Sequence, residues 1–227
     1  MPKDTMPFTA SFLPRRTPRP DARVLIALIL LCCGLEITLT LADFGLLGHE
    51  RLRGMTYEYG GFWPGLLTGW TPNYTGQPYA MFLTYGFLHG GLAHLVVNMI
   101  TLWSLGIAVI DRVGVRGFAI LYLVSIFGGA AGYALLASGL QPMVGASGAL
   151  FGLAGGLLAW MYVDRFTFRQ GLLPVAQAIG FLVALNLVLW WAMSGQLAWQ
   201  THLGGFIAGW IAALLVDPRA FDPEASV

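Results

Sequence analysis

The sequence predicts an all-α membrane protein: a bundle of six transmembrane helices with its N- and C-termini cytoplasmic. Three observations carry that prediction. Of 227 residues, 57% are hydrophobic and 10% charged, and the mean hydropathy of +0.70 is far above that of soluble domains. Apolar runs long enough to cross, or nearly cross, a hydrocarbon core of ~30 Å recur at 24–44, 91–110, 117–138, 146–163, 174–193 and 202–216. Lys and Arg residues gather in alternate connections, which sets the direction of the chain.

Residues 1–23 combine prolines with Lys3, Arg15, Arg16, Arg19 and Arg23 and show no apolar periodicity, as expected of a disordered cytoplasmic tail. The first span follows. Thr40-Leu41-Ala42 offers a small-x-small pattern, but an apolar stretch of about 19 residues exceeds the ~7 to 15 of a signal peptide core, so the span reads as uncleaved. The only cysteines, Cys32 and Cys33, are neighbours within it and cannot build a disulfide framework. They read as small buried or lipid-facing side chains.

The connection 45–77 is the one long loop, and its Tyr57, Tyr59, Phe62, Trp63, Trp70 and Tyr74 among glycines and prolines suit a segment lying in the outer interface. Asp111, Arg112 and Arg116 close the second span; Asp164, Arg165 and Arg169 close the fourth; Asp217 and Arg219 close the sixth. With a cytoplasmic N-terminus, ten of the twelve Lys and Arg residues lie inside and only Arg51 and Arg53 outside. Residues 24–216 then form one membrane domain, and 217–227 a cytoplasmic tail. A net charge of +1 offers no field for a nucleic-acid partner. Neither a solenoid period nor an inverted repeat is visible.

Polar side chains inside spans are costly, so each asks for a function, with helix packing as the rival explanation. Three clusters stand out. In His89-Gly-Gly-Leu-Ala-His94-Leu-Val-Val-Asn98, His94 and Asn98 are four apart and share a helix face. In Gly145-Ala-Ser147-Gly148-Ala-Leu-Phe151-Gly152, Ser147 opens the fourth span, and Gly148, Gly152 and Gly156 follow at four-residue spacing. Such spacing by itself indicates close helix approach, and a serine there can merely bond a carbonyl. A serine that opens a helix, however, sits beside free backbone N–H groups, the donors a tetrahedral oxyanion needs. In Thr201-His202-Leu-Gly-Gly205-Phe-Ile-Ala-Gly209, His202, Gly205 and Gly209 share one face. Packed on the small face of the fourth span, that face brings His202 to Ser147. His94, Ser147 and His202 each lie near the start of an even-numbered span, hence on the same outer side.

A serine nucleophile needs a base within hydrogen-bond reach, and His202 is the best placed. Between Glu58 and Asp217 the only acids are Asp111 and Asp164, both at cytoplasmic ends, so the arrangement reads as a Ser-His dyad rather than a triad. His94 and Asn98 would complete an oxyanion site with the Ser147 N–H, each donor worth on the order of 3 kcal/mol in the transition state. Other intramembrane chemistries fit less well. A zinc site from His89, His94 and His202 has no H-E-x-x-H framework. An aspartyl mechanism needs paired carboxylates at membrane depth, where only Glu36 lies.

These residues resemble the rhomboid family of intramembrane serine proteases over about 78–212 and the first span. The resemblance rests on H-x-x-x-N at His94–Asn98, G-x-S-G at Gly145–Gly148 and H-x-x-G-x-x-x-G at His202–Gly209, in order, on spans two, four and six. It implies Ser147 as nucleophile, His202 as base, and His94 and Asn98 as oxyanion support. It further implies Phe151 as the aromatic on which the histidine packs, and a structural role for His89. Gly145, Gly148, Gly205 and Gly209 are the supporting glycines. Single-span transmembrane proteins would be the substrates, entering from the lipid beside the fifth span and cut without metal or cofactor in a water-filled cavity open to the outer side.

With neither the seventh span of some eukaryotic forms nor a folded cytosolic domain expected, the chain resembles the minimal six-span bacterial type, which implies a bacterial plasma membrane with the active site facing outward. Two points separate it from the usual pattern or from rivals. Family members often carry Trp-Arg in the first outer loop where this chain has Tyr79-Ala80 after Gln77-Pro78, implying a different anchor for that loop. A non-catalytic family member that only binds membrane segments would lack Ser147 or His202. A transporter would line the inner half of the membrane with polar groups, where Asn186 and Gln177 suit helix pairing instead.

Overall fold

The computed structural model describes residues 21–137 and 141–216; the predicted tails, 1–23 and 217–227, lie outside these apart from 21–23. The described residues form seven α-helices and no sheet. They are α1 (Arg23–Asp43), α2 (Leu52–Gly60), α3 (Gln77–Thr84), α4 (Leu92–Leu136), α5 (Ser147–Thr167), α6 (Leu173–Ala192) and α7 (Trp199–Leu215). Helices α1, α4 and α6 are long and apolar enough to cross a membrane. In α5 and α7, glycine and alanine replace many of the large apolar side chains.

Helix α4 holds the second and third predicted spans, and they meet at Gly114, whose φ of 69° and ψ of 178° break the helix where the charged connection was expected. Contacts show that the chain doubles back there. Before the break, Gly106 faces Leu25 of α1; after it, Leu121, Ser125 and Gly129 face Gly156, Gly152 and Gly148 of α5, in descending order. One end of the bundle thus collects His94, Ser147 and His202. The other holds Arg112, which bonds Asp164 Oδ2 at 2.7 Å and lies over the Trp160 ring.

Helix α7 is wedged between α5 and the second half of α4. Gly204 meets the backbone of Gly128 and Gly132 on α4, while Gly205 and Gly209 meet the backbone of Gly148 and Gly152 on α5. A β-carbon at any of these α7 positions would overlap a neighbour's main chain, so the interfaces require glycine. The α5 contact is the predicted one. The α4 contact rests on a second small-residue face, Gly128 and Gly132, that the sequence displays equally well.

Residues 45–77 are not simply a loop: they contain α2 and a 3-10 turn at Pro64–Leu67, and α3 follows. Phe62 is fully buried against Phe82, Tyr85 and Tyr133, whereas α2 buries no residue fully and is tied down by ions. Arg53 of α2 donates to both carboxylate oxygens of Glu36, at 2.8 and 3.0 Å, to Asp43 Oδ2 at 2.6 Å and to the His89 carbonyl at 3.2 Å. The Tyr57 hydroxyl donates to that same carbonyl. Phe62 and Met143 then exchange two backbone hydrogen bonds of 2.9 Å, linking this outer segment to the stretch just before Ser147. Arg53 thus anchors this segment in a chain that has Tyr79-Ala80 and no Trp-Arg pair there.

Glu36 is 1% exposed, and removing its partner would leave a buried carboxylate unpaired. We expect Arg53→Met to destabilise the protein by about 3–5 kcal/mol, measured as reversible unfolding in mixed micelles. Glu36→Leu added to Arg53→Met should restore most of that loss; an equal loss in the double variant would show that the guanidinium acts by packing alone.

Candidate active site

The stretch 141–146 delivers Ser147 to the bundle end. Gly145 donates its N–H to the Tyr85 carbonyl at 2.9 Å, and the buried Tyr85 hydroxyl donates to the Ile126 carbonyl at 2.8 Å, so α3's trailing turn and α4 together hold this segment. Gly145 has φ +135°, a conformation side chains rarely adopt. Helix α5 then starts at Ser147, and its first intrahelical bond is Leu150 N–H to the Ala146 carbonyl. The N–H groups of Ser147, Gly148 and Ala149 have no acceptor within the helix.

Helix α7 presents His202 opposite. Its Nε2 lies 2.8 Å from Ser147 Oγ, across 55 residues of sequence. One turn beyond the serine, the Phe151 ring stacks on the imidazole with centroids 4.2 Å apart and planes 8° from parallel, which fixes the ring's tilt. The remaining ring nitrogen, Nδ1, lies 2.6 Å from Oδ1 of Asn186 on α6. Among the described residues, the third member of the array is therefore an amide and not a carboxylate.

His94 and Asn98 approach from the first half of α4. Gly90 donates its N–H to His94 Nδ1 at 3.2 Å, so the proton of the neutral ring resides on Nε2. That Nε2 lies 3.0 Å, and Ser147 Oγ 3.7 Å, from the point a β-carbon of Gly145 would occupy. The absence of a side chain at Gly145 thus leaves a small space walled by a hydroxyl and an N–H donor. Asn98 is buried and its Nδ2 has no partner among the described residues. An orphaned buried donor costs stability, and it is the kind of group that a transient anion would satisfy.

His89 is fully buried beside His94, ring centroids 5.3 Å apart, and neither of its ring nitrogens has a partner among the described residues. His89, His94 and His202 do not come together as metal ligands: no group of three such residues does among those described. Next to the dyad, a cavity of about 550 Å³ opens between α6 and the α5–α7 pair, lined by Phe151, Val183, Asn186, Trp190, His202 and Phe206. Apart from Asn186 and His202 its walls are apolar. Asn186, expected to pair helices, does so, and its partner is His202.

A family model described as Rhomboid domain matches residues 76–219. The chain is 37% identical over 140 residues to RHOMBOID-like protein 4 of Arabidopsis thaliana, covering 60% of this chain and 34% of that protein. It is 36% identical over 140 residues to Rhomboid protease GluP of Bacillus subtilis, covering 61% and 26%. Against Rhomboid-like protease 3 of Toxoplasma gondii it is 29% identical over 126 residues, covering 54% and 46%. The match spans less than half the length of each of these relatives.

Proposed function

The chain belongs to the rhomboid family, and from that premise we propose that it is an intramembrane serine endopeptidase working through a Ser147–His202 dyad. The single observation that carries this reading is the 2.8 Å contact between Ser147 Oγ and His202 Nε2. Ser147 Oγ attacks the scissile carbonyl carbon while its proton passes to Nε2. The carbonyl oxygen, now an anion, occupies the space beside Gly145, where the Ser147 N–H, His94 Nε2–H and Asn98 Nδ2–H can donate to it. Collapse of the intermediate breaks the C–N bond, and the amine leaves with the proton from His202. Water, deprotonated by His202, then hydrolyses the acyl-enzyme and regenerates Ser147.

In this reading α1, the two halves of α4, α5, α6 and α7 make six crossings, both termini are cytoplasmic, and the site end faces outward. The Lys and Arg distribution supports that direction, and the architecture is the minimal six-span form in a bacterial plasma membrane. Single-span membrane proteins are the substrates. An unwound stretch of such a segment, its carbonyls released from intrahelical bonds, would reach Ser147 from the lipid past α6, beside the apolar cavity.

The test is cleavage of a labelled single-span protein by purified enzyme in liposomes, with EDTA throughout. Cleavage should proceed at an EDTA-insensitive rate and disappear in His202→Ala. Binding without cleavage of any of several diverse substrates would instead make the chain a non-catalytic binder of membrane segments.

A further inference from the structure

Asn186 stands apart from its helix. Among the described residues of α6 only Val175, toward the opposite end, is buried, and nearly every other side chain of α6 is apolar. Yet Asn186 is half-buried with its amide aimed at the catalytic ring. Its orientation is set by two bonds. Nδ2 donates to the Leu182 carbonyl at 3.3 Å, which can only accept, so Oδ1 must be the atom turned to His202 Nδ1. An amide oxygen accepts and does not donate. Nδ1 must therefore carry the proton, and Nε2 is left with a lone pair toward Ser147 Oγ. With the amide turned over, an N–H would face Nδ1, the ring proton would move to Nε2, and the base would be lost.

We propose that Asn186 is a positioning residue that holds His202 in the Nδ1–H tautomer and in line with Ser147, making a Ser-His-Asn hydrogen-bonded array across three helices. The proposal rests on the reading of Ser147 and His202 as nucleophile and base. An amide suits the membrane setting: it orients the ring as an acidic third member would, without placing an unpaired charge on a lipid-facing helix.

Asn186→Leu keeps the side-chain size and removes the acceptor. Asn186→Asp keeps both the shape and the acceptor. Wild type, both variants and Ser147→Ala would be compared in liposomes for kcat and KM on a single-span substrate and for labelling of Ser147 by a fluorophosphonate. His202 would be followed by ¹⁵N spectra of histidine-labelled protein. Asn186→Leu should lower kcat by about 10-fold or more, part of the ~10²–10⁴-fold that general-base catalysis contributes, with KM within about twofold. Labelling should slow by the same factor, and the ring should become a mixture of tautomers. Asn186→Asp should recover most of kcat and keep the Nδ1–H signal. Wild-type labelling or an unchanged tautomer in Asn186→Leu, or equal losses in both variants, would overturn the proposal while leaving the dyad intact. Failure of wild type to cleave or to be labelled at Ser147 would remove the underlying reading as well.

Discussion

Ser147→Ala should lower kcat for cleavage of a membrane-embedded substrate by at least about 10⁴-fold, because loss of a serine nucleophile removes the covalent route and not one contribution among many. No neighbouring hydroxyl can replace it. Ser125 packs against Gly152 and Thr201 against Gly148, but both hydroxyls are buried without a hydrogen-bond partner among the described residues, so neither has a base to activate it. The variant should remain folded, since His202 keeps its stack on Phe151 and its bond to Asn186. Substrate should also still bind, with KM or co-purification close to wild type. Residual cleavage within tenfold of wild type would show that another group attacks the carbonyl.

Gly209→Val should be strongly damaging although residue 209 touches none of the reacting atoms. A β-carbon at position 209 would overlap the carbonyl group and the Cα of Gly152. Those are main-chain atoms of a helix and cannot turn aside as a flexible side chain would. Overpacking usually costs about 1–3 kcal/mol; with no soft atom to yield, the loss here should reach or pass the upper end, read as reversible unfolding in mixed micelles. Activity should fall further than stability, because the same displacement separates His202 from Ser147. Gly180→Val provides the contrast: a β-carbon there meets nothing within 4 Å, and the change should stay within about 0.5 kcal/mol. Equal effects at 180 and 209 would mean that glycine matters only as a helix breaker.

Much of this arrangement was legible from residue order, for reasons that differ from site to site. Charges such as Asp111, Arg112 and Asp164 bounded the spans because an ion inside hydrocarbon is costly, and the spacing of Gly148, Gly152, Gly205 and Gly209 forecast the α5–α7 contact. Helix α2 was not legible. Its stretch is only nine residues long and polar on average, and it is held by Arg53 reaching Glu36, 17 positions earlier in another helix. Asn186 could be seen as a costly polar group, but α6 is apolar on every side, so nothing in its pattern sets the rotation that turns the amide toward His202. The third member of the array depends on that rotation, which only tertiary packing supplies.

The position of α7 has a consequence for how the protein comes to be made. His202 reaches Ser147 only because α7 lies between α5 and the second half of α4, against the glycines of both. All the other described helices are synthesised before it. Until α7 enters that slot Ser147 lacks His202, so on the proposed reading the chain should not yet cut membrane segments inserted alongside it. In that reading, biogenesis thus supplies a restraint for which many soluble proteases use a removable pro-segment: the dyad forms only once α7, the last described helix, is in place.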